Sequence, residues 1–569
     1  MSASAAQWPQ PDDTDQKETM MRGATTEPNV LVGGGPRIGD PDAPAPSATD
    51  AASPVPPPDV ARERLALFAV TAAVLVVAIL TIAPWPVGAF QDDAIYTVLA
   101  KSLATGEGFR LINLPGSPHN THYPPAYPLV LAAMWKVWPS FPDNIVLFKF
   151  ANAFFLAAAA AGTWIFTRRR LGFLPWQASV TAIVGTLSVT VLLVTGVVLS
   201  EPFFLALLFP TLLLTERAAE RGDVRTAFLA GLLIGLLAMV RTLGVFAVPA
   251  AGLVLLLRRR WWAIVALGMG AAIFLVPWQL WVSAYQGEMA HPLVGKYGSY
   301  GAWLVEGYSQ GGWDFARAAV LKNMQDIDAT VSYMLFPVVA TWPRAIAIVS
   351  LLVFFLAGTK RYARNAPVTV AFLACYMLVV MLWPFEPNRF LLAIWPLFFP
   401  LAGFGVIACW KLRLPKFAAL PWRAAVVIVA LGMSGGYLWY NGIGYSKKWW
   451  IAVQQKAGVR ARPTVEWVAR NTAPSDVLST EDDLIVYLYT GRKSVPTSTF
   501  TAAERVRPLT DAEDVAVVDE IFSAYNPRWF IISSEVGVRT ARTLAARTPS
   551  VLREAAQTPH VMIFERVAR

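Results

Sequence analysis

The chain has 569 residues, of which 55% are hydrophobic and only 15% are charged. Soluble globular proteins carry about 25% charged residues, so this depletion and the long apolar blocks exclude an ordinary soluble protein and indicate a membrane protein. The formal net charge is +10. Because the basic residues form short clusters between apolar blocks, as in cytoplasmic loops, this charge does not indicate a nucleic-acid partner.

The chain begins with a polar segment. Residues 1–60 are rich in Pro, Ala, Ser, Thr and Asp, and they show no periodic apolar pattern. A segment of this composition cannot bury enough apolar surface to fold, so we expect a disordered cytoplasmic tail.

Residues 61–445 contain eleven apolar segments, and we expect an α-helical polytopic bundle of about 11 transmembrane helices. The first segment, Leu65–Ala83, has no charged residue. At about 1.5 Å per residue it spans roughly 28 Å, close to the thickness of the hydrocarbon layer. The other ten lie near Ile145–Phe166, Leu174–Val194, Pro202–Leu214, Ala227–Val240, Leu243–Leu257, Ala263–Ala284, Ala345–Ala357, Val368–Trp383, Leu391–Trp410 and Ala424–Tyr440.

The charges between the segments indicate how the bundle is oriented. Arg62 and Arg64 precede the first segment and Asp92 and Asp93 follow it, so the positive-inside rule places the N-terminus in the cytoplasm. The later basic clusters fall on that same side: Arg168–Arg170, Arg217 to Arg225, Arg258–Arg260, Lys360 to Arg364 and Lys411 to Lys416. An odd number of spans then places the C-terminal region outside the cytoplasm, with the protein in the plasma or inner membrane.

Two long outer loops and a terminal domain complete the organisation. The loops are expected at residues 85–144 and 285–330, and the short apolar stretch Pro125–Trp138 is expected to lie in the outer interface. Residues 453–569 have a soluble composition and predict a small extracytoplasmic α/β domain. Its predicted strands lie near Val477–Thr480, Trp529–Ser533 and Val561–Glu565, and its predicted helices near Thr464–Asn471 and Ala512–Ala524.

The first outer loop carries the adjacent carboxylates Asp92 and Asp93 and two of the four histidines, His119 and His122. Two carboxylates beside a membrane are costly unless they are solvated, paired or bound to a cation. The pair therefore either marks a solvated loop end or belongs to a functional site, and the clustered histidines favour the second interpretation.

Three more charged residues lie at the outer ends of apolar segments. Glu201 opens an outgoing helix, a position that the helix dipole favours in any helix start. Arg241 lies against the positive-inside bias and needs an anion, which is Glu201, a lipid headgroup or a substrate phosphate. Arg389 is a second outer arginine, which either snorkels to headgroups or belongs to the same site.

Carboxylates from two early loops and cations from two later loops suit group transfer from a lipid phosphate. Arginine and histidine hold the charge of a departing phosphate. A carboxylate activates an acceptor hydroxyl or amine as a general base. A donor buried in the membrane would also place the site at the interface.

The order of the motifs resembles that of a known superfamily. The motifs are Asp92-Asp93, Tyr-Pro-Pro-x-Tyr-Pro at Tyr123–Pro128, Ser-Glu-Pro-Phe-Phe at Ser200–Phe204, Arg241-Thr242-x-Gly244 and Arg389-Phe390-Leu391-Leu392. Together, from about Arg62 to Tyr440, they resemble the GT-C glycosyltransferases. The most similar members are the protein O-mannosyltransferases and the aminoarabinose transferases that modify lipid A (glycosyltransferase families 39 and 83).

The resemblance implies an inverting hexosyl or pentosyl transfer, in the cell envelope, from a polyprenyl- or dolichyl-phosphate sugar to a lipid, glycan or protein. It implies catalytic roles for Asp92, Asp93 and Glu201, with Asp92 as the leading base. The set His122, Tyr123, Arg241 and Arg389 is expected to bind the donor phosphate. No cofactor is certain, and a divalent cation, if used, is expected at Asp92 and Glu201.

This sequence departs from the aminoarabinose transferases at Tyr123, where those enzymes have lysine before the paired prolines, so aminoarabinose itself is not the expected sugar. The alternative from another class is a transporter or flippase of lipid-linked saccharides. A transporter is expected to show inverted repeats and ionisable residues at mid-membrane. Here the spans are nearly free of charge, which favours the enzyme over the transporter and over a non-catalytic scaffold.

Overall fold

The structure is a computed structural model that describes residues 60–84, 86–383, 385–499, 509–547, 552–557 and 561–567. The chain divides into two compact units, Met1–Arg64 and Leu65–Arg569. The tail expected at residues 1–60 lies almost entirely outside the described residues. The second unit contains all the candidate site residues.

Up to residue 471 the described chain is helical. The helices are α1 Val60–Leu80, α2 Asp92–Ala104, α3 Ala126–Val137, α4 Ile145–Arg169, α5 Pro175–Thr186, α6 Val189–Thr195, α7 Glu201–Arg221, α8 Val224–Val240, α9 Ala247–Leu257, α10 Trp261–Tyr285, α11 Val294–Tyr297, α12 Tyr300–Leu335, α13 Thr341–Asn365, α14 Pro367–Leu382, α15 Asn388–Leu392, α16 Phe398–Trp410, α17 Lys416–Ser446 and α18 Trp449–Asn471. Helix α12 is interrupted at Gly312, where φ is +51°.

Each of the eleven predicted apolar segments contains a helix, but the helices differ in length. Six of them are long and apolar enough to cross a membrane: α1, α4, α7, α10, α13 and α17. Helices α5 and α6 make a seventh candidate, bent by 59°. The other four segments form apolar helices of at most 17 residues, or about 26 Å. The prediction of eleven full transmembrane spans is therefore not established. Hydropathy gives the length of an apolar segment, but it does not show where the helix within that segment breaks.

Close packing of small residues fixes helix α8, whose C-terminal end leads to Arg241. A Cβ atom added to Gly231 would collide with the carbonyl group of Leu267 in α10, and one added to Gly270 would collide with the carbonyl group of Phe228. Helices approach this closely in membrane proteins where glycine removes the side chain from the interface.

Helix α7 separates two charged ends of the bundle. It begins at Glu201 and has 21 residues, so its ends are about 31 Å apart. Near its C-terminal end, Arg170 contacts Glu216 at 3.5 Å and Glu220 at 2.5 Å. The Arg258 guanidinium donates to the Ala219 carbonyl at 2.8 Å. Two of the basic clusters thus gather at one end, and Glu201 lies at the other.

The C-terminal region is an α/β unit, as predicted. Its elements are β1 Leu478–Thr480, α19 Asp483–Thr490, β2 Ser494–Val495, α20 Asp511–Tyr525, β3 Trp529–Ile532, α21 Glu535–Arg547, β4 Leu552–Gln557 and β5 Met562–Arg566. The strand order is β2-β1-β3-β5-β4. Strands β2, β1 and β3 are parallel, whereas β5 runs antiparallel to β3 and to β4. The three predicted strands are confirmed as β1, β3 and β5.

The α/β unit packs directly on the loop that follows α2. Leu111 and Leu114 of this loop lie in the same buried hydrophobic cluster as Leu484 of α19. The Lys493 ammonium donates to the Leu114 carbonyl at 3.2 Å and to the Ser117 hydroxyl at 2.7 Å. The unit therefore forms a continuous core with the loop that carries several candidate site residues.

Candidate functional site

The site begins with the turn before helix α2, which Asp93 holds. The Asp93 carboxylate accepts hydrogen bonds from the backbone N–H groups of Gly88 at 2.7 Å, Ala89 at 3.1 Å and Phe90 at 3.1 Å. Asp93 is fully buried, and this burial raises the pKa of its carboxyl group although the three backbone hydrogen bonds act in the opposite direction. Asp93 therefore fixes the backbone that positions its neighbour, Asp92.

Asp92 faces the opposite direction and is 28% exposed. Its Oδ1 accepts the Tyr123 hydroxyl at 2.7 Å, and its Oδ2 accepts Nη1 of Arg389 at 2.9 Å. The contact with Arg389 joins the first outer loop to a segment 297 residues later in the sequence. A phenol and a guanidinium both stabilise an ionised carboxylate.

Glu201 is the first residue of α7, is fully buried, and lies between two arginines. Its Oε1 accepts Nε and Nη2 of Arg389 at 3.1 and 2.9 Å and contacts Nη1 of Arg241 at 2.9 Å. The Glu201 Oε2 atom has no hydrogen-bond partner within the described residues. A buried carboxylate needs such pairing, since an isolated charge away from water is very costly.

These contacts join two positive and two negative groups into one charged cluster, which consists of Asp92, Glu201, Arg241 and Arg389. Its exposure is graded: Arg389 is 23% exposed and Arg241 10%, whereas Glu201 is inaccessible. The open side of the charged cluster therefore presents one carboxylate, Asp92, and one guanidinium, Arg389. Glu201 and Arg241, on the buried side, hold these two side chains in place.

His122 adjoins the charged cluster as a neutral ring. Burial lowers its pKa to about 4. Its Nδ1 lies 2.5 Å from the Gly298 carbonyl oxygen, so Nδ1 carries the proton and donates. The ring centroid lies 3.8 Å from that of Tyr300. At neutral pH His122 therefore has no positive charge, and its other ring nitrogen, Nε2, can only accept a hydrogen bond.

Tyr123 is held by its own loop and points at Asp92. Asn120 accepts the Tyr123 backbone N–H at 3.3 Å and donates to the Tyr123 carbonyl at 2.8 Å. Burial, with the nearby Asp92 charge, raises the pKa of the Tyr123 phenol well above its usual value. The phenol therefore stays protonated and donates to Asp92.

Several residues beside the charged cluster were not among the predicted ones. The Ser200 hydroxyl lies 3.0 Å from the Tyr96 hydroxyl and accepts Nη1 of Arg241 at 3.2 Å. Tyr96 follows Asp92 by four residues, so helical spacing places both on one face of α2. Tyr300 carries no such local signal, because only the folding of the second long loop brings it to His122.

The charged cluster does not suit a metal ion. Within the described part of the chain, no group of three or more His, Cys, Asp or Glu side chains could hold one. Between Asp92 and Glu201 stands the Arg389 guanidinium, which binds both carboxylates and takes the position that a bridging cation needs. We therefore assign no catalytic step to a metal ion.

No sequence profile of a known protein family matches this chain, and no curated protein sequence matches it either. Several solved structures are similar, and two of them are structures of one protein. ArnT from Cupriavidus metallidurans bound to undecaprenyl phosphate is 12% identical, with a TM-score of 0.50, and covers 88% of this chain and 98% of its own. The apo state of the same ArnT is 13% identical, with a TM-score of 0.46, and covers 89% and 98%.

At this level of identity the similarity to the bound ArnT structure concerns the fold. It extends over most of both chains, so it includes the helical bundle together with the C-terminal region. The fold that this resemblance implied, a helical bundle with a small C-terminal α/β region, is therefore confirmed. With its long apolar helices and this fold, the chain is an integral membrane protein.

Proposed function

We propose that this protein is a membrane glycosyltransferase that transfers a sugar from a polyprenyl-phosphate donor to an extracytoplasmic acceptor, with inversion. The charged cluster is the observation that carries the proposal. Asp92, Glu201, Arg241 and Arg389 come from four separate parts of the chain and meet at one end of the bundle. The bound lipid phosphate of an ArnT structure with a similar fold supports the choice of donor class.

Arg389 is the proposed ligand of the donor phosphate. A guanidinium has five N–H groups. Three of them are used, Nε and one of Nη2 for Glu201 and one of Nη1 for Asp92, which leaves two. Two adjacent N–H groups suit two phosphate oxygens. Arg241 and Glu201 support Arg389 from the buried side.

Asp92 is the proposed general base. The acceptor hydroxyl loses its proton to Asp92 while its oxygen forms a bond to C1 of the sugar. The bond between C1 and the phosphate oxygen breaks, and its electron pair leaves with the polyprenyl phosphate. Attack from the side opposite the phosphate inverts C1. Asp93, whose oxygens bind the backbone, is proposed to position Asp92.

The orientation follows from the two charged ends of α7. We propose that the end with Arg170 and Arg258 is cytoplasmic and that the end with Glu201 is extracytoplasmic. The N-terminus is then cytoplasmic, residues 61–445 form the transmembrane transferase domain, and residues 453–569 form the extracytoplasmic domain. An acceptor in the cell envelope reaches the charged cluster from that side.

A deletion strain tests the proposal. We expect mass spectrometry of its lipids, glycans and envelope proteins to reveal one missing sugar, which returns with the wild-type chain and stays absent with Asp92→Asn at equal abundance. If Asp92→Asn restores the sugar fully, the protein is a scaffold or transporter. A deletion that changes no glycan and instead accumulates an untransported lipid-linked saccharide also refutes the proposal.

A further inference from the structure

A cavity of about 230 Å³ lies in the C-terminal α/β unit, away from the charged cluster. Its wall includes Glu481, which follows β1, Thr497 and Ser498, which follow β2, and Ser534, which follows β3. All three strands are parallel, so these residues gather at their carboxyl ends. We call this space the strand-end cavity.

The sheet topology leaves space at the carboxyl ends of these strands. The chain leaves β1 for β2 on one side, whereas it leaves β3 for β4, which lies beyond β5 on the other side. Loops that diverge from adjacent parallel strands leave a crevice at the carboxyl ends, which is where open α/β sheets bind ligands. Glu481 spans this crevice, since its carboxylate accepts the backbone N–H groups of Ser533 at 2.9 Å and Ser534 at 3.0 Å.

The lining favours a hydroxyl-rich ligand over an anion. Two carboxylates, Glu481 and Asp514, face a single lysine, Lys296, whose ammonium already contacts Asp483 at 3.2 Å. Glu481 also occupies the start of α21, where an anion would otherwise bind. A phosphate or carboxylate ligand would therefore meet more negative than positive charge among the side chains that line the cavity.

Three polar side chains of the lining remain available to a ligand. The carboxylate of Asp514 and the hydroxyls of Thr497 and Ser498 form no hydrogen bond with any residue that the structure describes. A carboxylate accepts hydrogen bonds and a hydroxyl both donates and accepts, which matches the hydroxyl groups of a sugar. The volume lies below the roughly 300–1,000 Å³ of sites for drug-sized ligands, so it suits a ligand of about one sugar ring.

A short segment joins the strand-end cavity to the charged cluster. Lys296 lines the cavity, and the hydroxyl of its neighbour Tyr297 donates to Asp483 of the α/β unit. The next residue, Gly298, accepts His122 through its carbonyl oxygen. Tyr300 then packs its ring on His122. This segment of five consecutive residues thus runs from the strand-end cavity to His122, which adjoins the charged cluster.

We propose that the strand-end cavity binds one neutral or amine-bearing saccharide unit of the acceptor. This assignment rests on the proposed function, because only a sugar transferase needs an acceptor. The unit held in the cavity is distinct from the hydroxyl that reacts at Asp92. Residues 296–300 set the position of the cavity relative to the charged cluster. They therefore select acceptors whose length matches the distance between the two.

Saturation-transfer difference NMR on the full-length protein in detergent tests this assignment. The probes are the methyl glycosides of glucose, mannose, galactose and arabinose, together with glucosamine. We expect at least one to bind saturably, and to bind at least tenfold more weakly to Asp514→Asn and to Thr497→Val. The matched control is Asp519→Asn, an exposed aspartate on the same helix α20, which is expected to bind like wild type.

Thermal unfolding of each variant checks that the α/β unit is intact. The assignment is overturned if no probe binds, or if Asp519→Asn weakens binding as much as Asp514→Asn. It is also overturned if Asp92→Asn abolishes binding and Asp514→Asn does not, because the sugar then lies at the charged cluster. A last outcome separates the two proposals. If a sugar binds in a way that depends on Asp514 but the protein does not bind undecaprenyl phosphate, the proposed transferase function and the acceptor role are refuted. The saccharide site itself would then stand.

Discussion

The neighbouring aspartates Asp92 and Asp93 are expected to respond in opposite ways to the same substitution. Asp92 is partly exposed and contacts two side chains, whereas Asp93 is buried and contacts three backbone N–H groups. Replacing each by asparagine removes one charge and keeps the shape. Asp92→Asn is expected to lose activity while remaining folded, and Asp93→Asn is expected to lose stability.

The magnitudes follow from the contacts. An asparagine has a single acceptor oxygen, so Asp93→Asn leaves one or two of its three backbone N–H groups unpaired away from water. Each such group costs about 1–3 kcal/mol, so we expect the free energy of unfolding to fall by about 2–4 kcal/mol. In Asp92→Asn water can replace the lost contact, and the cost is about 1 kcal/mol or less. The loss of a general base slows transfer by about 100-fold to 10,000-fold.

Two measurements on the same preparations separate the effects. Thermal unfolding in detergent reports stability, and the amount of the restored envelope sugar, divided by protein abundance, reports activity. Glu107→Gln, an exposed carboxylate after α2, is the charge-matched control and is expected to behave like wild type. Asp93, and not Asp92, would be the base if Asp93→Asn unfolds like wild type yet is inactive, while Asp92→Asn keeps more than a tenth of the activity.

Three further outcomes are expected. Arg389→Lys keeps the charge but loses the planar pair of N–H groups, so undecaprenyl phosphate should bind at least tenfold more weakly in a titration, and unchanged binding contradicts the phosphate assignment. His122 has a pKa of about 4 when folded and 6.5 when unfolded, so the unfolded state takes up the proton first as the pH falls. Stability should therefore decline by up to about 3 kcal/mol between pH 6.5 and 4, and His122→Asn should flatten this part of the unfolding profile. Glu481→Gln weakens the charge-assisted bonds to Ser533 and Ser534 and should lower the free energy of unfolding by about 2 kcal/mol, whereas an unchanged unfolding midpoint would show that the bridge is dispensable.

The convergence of the charged residues could be predicted because each one lies at the end of an apolar segment. Counting spans places Asp92, Glu201, Arg241 and Arg389 on one side of the bundle before any coordinate is known. The division of roles between Asp92 and Asp93 could not be predicted, since the two are adjacent and chemically identical. It is decided by the turn before α2, where Gln91 adopts a φ of +62° and directs one carboxylate to the backbone and the other to Arg389.

The elements that escaped prediction depend on distant contacts. Strand β4 has the sequence Leu-Arg-Glu-Ala-Ala-Gln, which lacks the β-branched and aromatic residues of ordinary strands. It is a strand because β5 pairs with it at the sheet edge. The contact of Tyr300 with His122 likewise spans 178 positions of the sequence, from 122 to 300. Local patterns identify helices and loop ends, but they do not encode which loops meet.

The neutrality of the charged cluster has a consequence for the order of events. Arg389 is shared between Glu201 and Asp92, and the Asp92 Oδ2 atom accepts a hydrogen bond from Nη1. A phosphate bound by the two remaining N–H groups of Arg389 would bring a second anion beside Asp92, and the repulsion between the two anions would weaken the bond between Oδ2 and Nη1. The contact between Arg389 and Glu201 is less readily broken, since Glu201 is buried and also bound by Arg241. Donor binding would therefore release Oδ2 to accept the acceptor's proton, so the carboxylate becomes available as a base when the leaving group is in place.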